Sequence, residues 1–131
     1  MKYIFTALSE YGYEDTIIKA VKNPEMPSYA YWINQGSSTL CETWEMDQSL
    51  NHHMYSEIDY WLYRYVAGIQ LDEKGLLIKP SFIVDSLKAT HNGIEIKWDS
   101  DNIKVNLPAE AQLVLNNQIF SLEKGCHIFK R

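Results

Sequence analysis

The residues best equipped for chemistry fall close together in the chain: Glu42, Glu45 and Asp47, with Trp44 among them, and then the tandem pair His52-His53. Carboxylates and imidazoles in one region can bind a metal ion or move protons. A metal site would draw on the histidines with Glu42 or Asp47. Adjacent histidines are expected to point in different directions, however, and no second ligand pair has metal spacing, so no metal is expected. Glu42 taken alone reads as a solvated surface carboxylate. Tyr31, Trp32 and Trp44 offer ring faces for stacking, although isolated aromatics are more often core. His91, beside Asn92-Gly93, reads as a turn residue. No cofactor is implied by any of these groups.

The elements that must position these residues change character along the chain. Ile4, Phe5, Leu8 and Tyr11 share one helical face, and Gly12 is a plausible stop. A second helix is predicted over about Glu14 to Lys22, with Ile17, Ile18 and Val21 inward, ended by Asn23-Pro24. From Pro24 to Asn51 the signals are mixed, with one helical turn or two near Tyr29 to Ile33 and an extended or irregular path over Thr39 to Trp44. Such loop-rich stretches often carry functional groups. Ile58, Trp61, Leu62, Tyr65, Val66 and Ile69 then predict a clear helix, with Gly68 where a C-terminal cap belongs.

After Gly75 the period of the apolar residues becomes two. Strands are predicted at Leu76–Lys79, Leu87–His91, Ile94–Trp98, Ile103–Leu107, Gln112–Leu115, Ile119–Leu122 and Cys126–Phe129. Asn92-Gly93 is the strongest hairpin signal. Helices followed by a run of strands give an α+β chain, read as a helical segment over residues 1–71 and a small antiparallel β-sandwich over 72–131.

Composition limits what the chain can bind. Its 131 residues carry 12 basic and 17 acidic side chains, a formal charge of −5, with no Lys/Arg cluster. Nucleic acid, which needs a basic face, is disfavoured. No apolar run is long enough to cross a membrane. The first residues lack the apolar core and cleavage site of a signal peptide, so the expected compartment is the cytoplasm. Cys41 and Cys126 are read as two free, mostly buried thiols rather than a disulfide.

Several boxes in order carry a family resemblance. They are Gly12-Tyr13-Glu14-Asp15, Pro27-Ser28-Tyr29, Gly36 to Glu45 including Glu42-Thr43-Trp44-Glu45, Asn51-His52-His53-Met54-Tyr55, and Arg64-Tyr65-Val66-Ala67-Gly68-Ile69. This run resembles the α-L-rhamnosidases of glycoside hydrolase family 78. The resemblance implies an (α/α)-barrel catalytic domain followed by a C-terminal β-sandwich, and inverting hydrolysis of terminal α-L-rhamnosides. It places Glu42 at the general base, His53, or less favoured His52, at a sugar contact, and Trp44 in the pocket wall. The chain departs from the pattern at Cys41 (usually Trp), Thr43 (usually Arg) and Ser56 (commonly Gly).

Inverting hydrolysis needs a second carboxyl group, the general acid, about 6.5–9.5 Å from the base. In the family it lies upstream of the matched boxes, and nothing marks Glu45 or Asp47 for that role. A dozen helices at a mean of about 11–12 residues each, with loops, need roughly 200 residues, whereas about 75 precede the strands here. The expected protein is thus a fragment or truncated homologue of the enzyme, inactive alone. The alternatives are a carbohydrate-binding module or a structural protein without catalysis. Apolar helix faces left without partner helices predict self-association as a two-fold dimer, or association with a chain carrying the missing barrel. A rhamnose-containing glycan is the expected ligand.

Overall fold

Frequent interruptions keep the helices of the first third short. In the computed structural model, which describes residues 3–131, α1 spans Ile4–Glu10 and α2 spans Glu14–Val21. Gly12 between them has φ +78°, which stops α1 where the sequence predicts. Tyr11, the residue that caps the end of α1, is exposed and does not share the buried side of the helix. α3 covers Tyr29–Asn34. Its first turn is capped by Ser28, whose Oγ accepts from the Tyr31 N–H at 2.9 Å and donates to the Asn23 carbonyl. A 3₁₀ turn at His53–Tyr55 and α4 at Glu57–Trp61 follow.

The chain divides into two compact units, Met1–Trp61 and Leu62–Arg131. In the first, Trp61 is fully buried, its indole N–H bonded to Ser9 Oγ at 2.8 Å and its ring edge-on to Phe5 at 5.7 Å. Cys41, Ile17 and Trp32 are buried with it. Burying a large apolar side chain contributes about 1.5–3 kcal/mol, so a few such rings can hold short helices that would not persist alone.

The second unit opens with a π turn over Leu62–Val66 rather than the regular helix its apolar spacing predicts. The Ala67 N–H reaches back five residues to the Leu62 carbonyl, at 2.8 Å. That extra residue per turn rotates the buried side. Leu62 is consequently exposed, while Val66 and Ala67 are fully buried. Gly68, at φ +77°, ends the turn, and Ile69 starts a strand that the spacing had placed in the helix.

Among the described residues, eight strands form two four-stranded sheets: β1 (Ile69–Asp72), β2 (Gly75–Ile78), β6 (Ala111–Leu115) and β7 (Gln118–Leu122) in one, and β3 (Leu87–His91), β4 (Ile94–Trp98), β5 (Asn102–Leu107) and β8 (Gly125–Lys130) in the other. Asn92 and Gly93 both have positive φ, as do Asn116 and Asn117, the backbone demanded by tight two-residue hairpins. Five pairings are antiparallel, but β2 and β6 run parallel, because the chain crosses to the other sheet between them. Ile94, Ile96 and Trp98 alternate inward with Ile103, Val105 and Leu107, giving one buried row per strand. Cys126 sits at an outward position of β8 and is exposed, unlike the buried Cys41; neither is in a disulfide. The last residue closes the unit: Arg131 donates to the carbonyls of Phe82, Asp85 and Asp99, and its guanidinium lies 4.5 Å from the Phe82 ring centre.

No helix among the described residues is long and apolar enough to cross a membrane.

Candidate functional site

Glu42 sits on a loop that closes on itself. The His52 N–H bonds to the Leu40 carbonyl at 2.7 Å, and the Glu42 N–H to the Ser49 carbonyl at 2.9 Å. Thr39 Oγ1 donates to the Leu50 carbonyl on the same side. These bonds run the Glu42 limb beside the limb entering His52. Glu42 as a residue is half-buried, and its carboxylate Oε2 accepts from the Ser49 N–H at 3.3 Å on the exposed side of the loop. At the loop tip, Thr43 Oγ1 donates to Asp47 Oδ1 at 2.7 Å. Asp47 is therefore held as an acceptor within its own turn, and Glu45 is exposed.

An aromatic cluster fixes the loop to its surroundings. Trp44 stacks on Trp32 with ring centres 4.3 Å apart, and meets Tyr55 at 4.5 Å and Tyr29 at 5.7 Å. The Trp32 indole N–H donates to the Trp44 carbonyl at 3.2 Å, and the Tyr29 hydroxyl to the Tyr55 carbonyl at 2.8 Å. Trp44 lies two residues beyond Glu42, and Tyr55 two beyond His53. The cluster thus ties the glutamate limb and the histidine limb to one helix, α3. Such packed pairs contribute about 0.5–1.5 kcal/mol each beyond their burial.

The tandem histidines do not diverge as expected. Their rings are stacked, 5.1 Å apart and 10° from parallel. The reason lies in the backbone: His52 is extended and caps the 3₁₀ turn that His53 begins, accepting the Met54 N–H on its Nδ1 at 3.1 Å. That bond assigns the proton of a neutral His52 ring to Nε2. Among the described residues, no group of three or more His, Cys, Asp or Glu side chains could hold a metal ion.

Two cavities separate the predicted site residues. An open cleft of about 520 Å³, with a wall of mixed polar and apolar groups, takes in Tyr3, His52, His53, Met54, Ser56, Glu57 and Tyr60. An apolar cavity of about 250 Å³ is walled by Phe5, Ile17, Tyr29, Trp44 and Tyr55. His52 and His53 therefore share the cleft, whereas Trp44 belongs to the aromatic cluster and the apolar wall. Glu42 lines neither cavity.

Glu57 lines both, and sequence reasoning passed over it. An acidic residue opening a helix reads as ordinary complement to the helix dipole. The structure gives it another character: its Oε1 is buried, and no donor among the described residues reaches it. An unsatisfied buried acceptor costs about 1–3 kcal/mol, more when charged.

Tyr29 records the same environment. Burial first, then the charge of Glu57, push its hydroxyl well above the ordinary tyrosine range. The folded chain thus keeps Tyr29 protonated at a pH where the unfolded chain has released that proton. The corresponding stability is whole below about pH 10 and is lost as pH rises further. Tyr29→Phe is expected to flatten this alkaline loss, read by near-ultraviolet circular dichroism against pH. An alkaline slope equal to the parent's would exclude Tyr29 as its source.

Comparison with known proteins adds to this geometry. Residues 1–66 match the family described as the bacterial alpha-L-rhamnosidase 6 hairpin glycosidase domain. An alpha-L-rhamnosidase of Formosa agariphila is 28% identical over 88% of this chain and 15% of its own length. A second from the same organism is 36% identical over 47% of this chain and 8% of its own. One from Streptomyces avermitilis is 26% identical over 72% and 11%. The chain thus spans 15% or less of the length of these relatives. Among solved structures, a putative kojibiose phosphorylase from human microbiome covers 62% of this chain and 12% of its own, at 18% identity and a TM-score of 0.41, too distant to bear on function.

Proposed function

We propose, from the premise that this chain belongs to the bacterial α-L-rhamnosidase six-hairpin glycosidase family, that it is the C-terminal portion of an inverting α-L-rhamnosidase and supplies one wall of the sugar site. The observation that carries this reading is the bracing of the Glu42 loop to the His52-His53 segment through paired backbone bonds and the Trp44–Tyr55 contact. Pre-positioning of that kind is what a water-activating carboxylate and a sugar-binding imidazole require of a scaffold. Glu42 acts as general base, drawing a proton from the water that attacks the anomeric carbon. His53 and His52 hold sugar hydroxyls.

The general acid comes from the remainder of the six-hairpin domain. Asp47 is engaged by Thr43, and Glu45 stands out in solvent, so neither is placed for that task. The exposed Ile4, Ile33, Tyr11, Tyr13 and Met26 support a docking role for the first unit, against further helices of the domain or against a second copy of the chain.

The test is reconstitution. The chain alone is expected to leave an aryl α-L-rhamnoside intact. Mixed with a separately expressed upstream part of a relative's domain, it is expected to release rhamnose with inverted anomeric configuration, followed by NMR. A stable complex that stays inactive, or that retains configuration, would count against the proposal. A second reading, sugar binding without catalysis, is favoured by the cleft being formed by this chain's own residues. Calorimetric binding of rhamnosides with no turnover in the complex would select it.

A further inference from the structure

We infer that Glu57 is a hydroxyl-binding residue of the His52-His53 cleft, accepting hydrogen bonds from a neutral, polyhydroxylated ligand, the terminal sugar of a glycan. This deepens the rhamnosidase reading and rests on it. The cleft, at about 520 Å³, is of a size that takes small molecules. Its lining sets imidazoles, the Ser56 hydroxyl, the Glu57 carboxylate and the phenol rings of Tyr3 and Tyr60 around one space.

The chemistry of that lining selects the ligand. An anion would be repelled by Glu57. A metal ion lacks a ligand set among the described residues. A purely apolar group would leave the imidazoles, the Ser56 hydroxyl and the Glu57 carboxylate of the mixed wall unpaired, and is better suited to the apolar cavity on the other side of Glu57. What remains is a donor-rich neutral molecule with apolar ring faces, which is the character of a sugar. His52 donates through Nε2, since its Nδ1 is taken by the Met54 N–H. Glu57 supplies the complementary charged acceptor, the stronger kind for a hydroxyl. Its Oε1 has no donor among the described residues.

The inference is tested on the full chain by calorimetry with L-rhamnose, using Glu57→Gln, Glu57→Asp and, as a control outside the cleft, Glu45→Gln. Loss of a charged hydrogen bond is expected to weaken binding about tenfold or more in Glu57→Gln. Glu57→Asp, which keeps the charge and shortens its reach, should fall between Glu57→Gln and the parent, and Glu45→Gln should match the parent. If Glu57→Gln does not fold, by far-ultraviolet circular dichroism, Glu57→Asp is read against the parent alone, and parent affinity in it overturns the assignment. Parent affinity in a folded Glu57→Gln overturns the role of Glu57 and leaves the rhamnosidase reading standing. Failure of the folded parent chain to bind L-rhamnose overturns the assignment of the cleft, and the rhamnosidase reading is decided separately, by reconstitution.

Discussion

Gly68→Ala is expected to remove most of the stability of the second unit, a loss of about 4 kcal/mol or more, at the extreme of single substitutions. Two effects combine. Gly68 sits at φ +77°, where a residue with a Cβ pays about 1–2 kcal/mol. That Cβ would also lie 2.0 Å from the Lys79 carbonyl oxygen, 2.1 Å from its carbon and 2.5 Å from the Pro80 nitrogen. These are backbone atoms and cannot swing aside. Nor can the strand back away cheaply, because the Lys79 N–H bonds to the Gly68 carbonyl at 2.8 Å and the Ser81 N–H to the Val66 carbonyl at 2.9 Å. Domains of this kind have about 5–15 kcal/mol in total. Gly75→Ala is the matched control in the same unit: φ is +115°, but no atom of the described residues lies within 4 Å of its added Cβ. Urea unfolding followed by tryptophan fluorescence should therefore show a far larger midpoint shift for Gly68→Ala. Equal shifts would mean that the close approach to Lys79 is not a constraint.

The same residue shows where sequence reading stops. Gly68 was legible as a helix end, since glycine beyond an apolar periodic run signals a cap. That the cap is pressed against Lys79 depends on a strand pairing no local pattern reveals. The π turn is hidden for a related reason. Leu62, Tyr65 and Val66 have the spacing of an ordinary helix, and only packing decides that one residue is inserted into the turn. Strand β1 was lost with it, because Ile69 to Asp72 is too short to alternate convincingly. The hairpin at Asn92-Gly93 and the inward row Ile103, Val105, Leu107 were readable because they rest on local backbone chemistry and a strict period of two.

The candidate site divides along the same line. Glu42, Trp44 and His52-His53 could be picked out because their boxes follow one another in a recognisable order. Their partners could not. Tyr29 donates to a carbonyl 26 residues away, and Glu57 gains its character only from the two cavities it separates. The stacking of His52 on His53 likewise follows from one residue capping the turn that the other begins, a backbone event with no signature in residue type.

In the reconstituted enzyme, Glu42→Gln is expected to lower kcat by about 10²–10⁴, the range of a lost general base, with KM little changed. Glutamine is nearly isosteric with glutamate, and its amide oxygen can still accept the Ser49 N–H that now meets Oε2 at 3.3 Å. The loop, with its backbone bonds and the Trp44 cluster, therefore keeps its shape, and what disappears is the ability to take a proton from water. Two further measurements separate this from damage to the wall. Azide needs no deprotonation to act as a nucleophile, so adding it should restore consumption of the aryl rhamnoside in Glu42→Gln, giving a rhamnosyl azide of inverted configuration. His53→Ala, which on the proposed reading removes a sugar contact rather than the water-activating group, should mainly raise KM. Turnover of Glu42→Gln equal to the parent would take Glu42 out of the mechanism. A loss that azide leaves unchanged would make it a structural residue of its loop, and the base would then have to come from the same upstream segment as the acid.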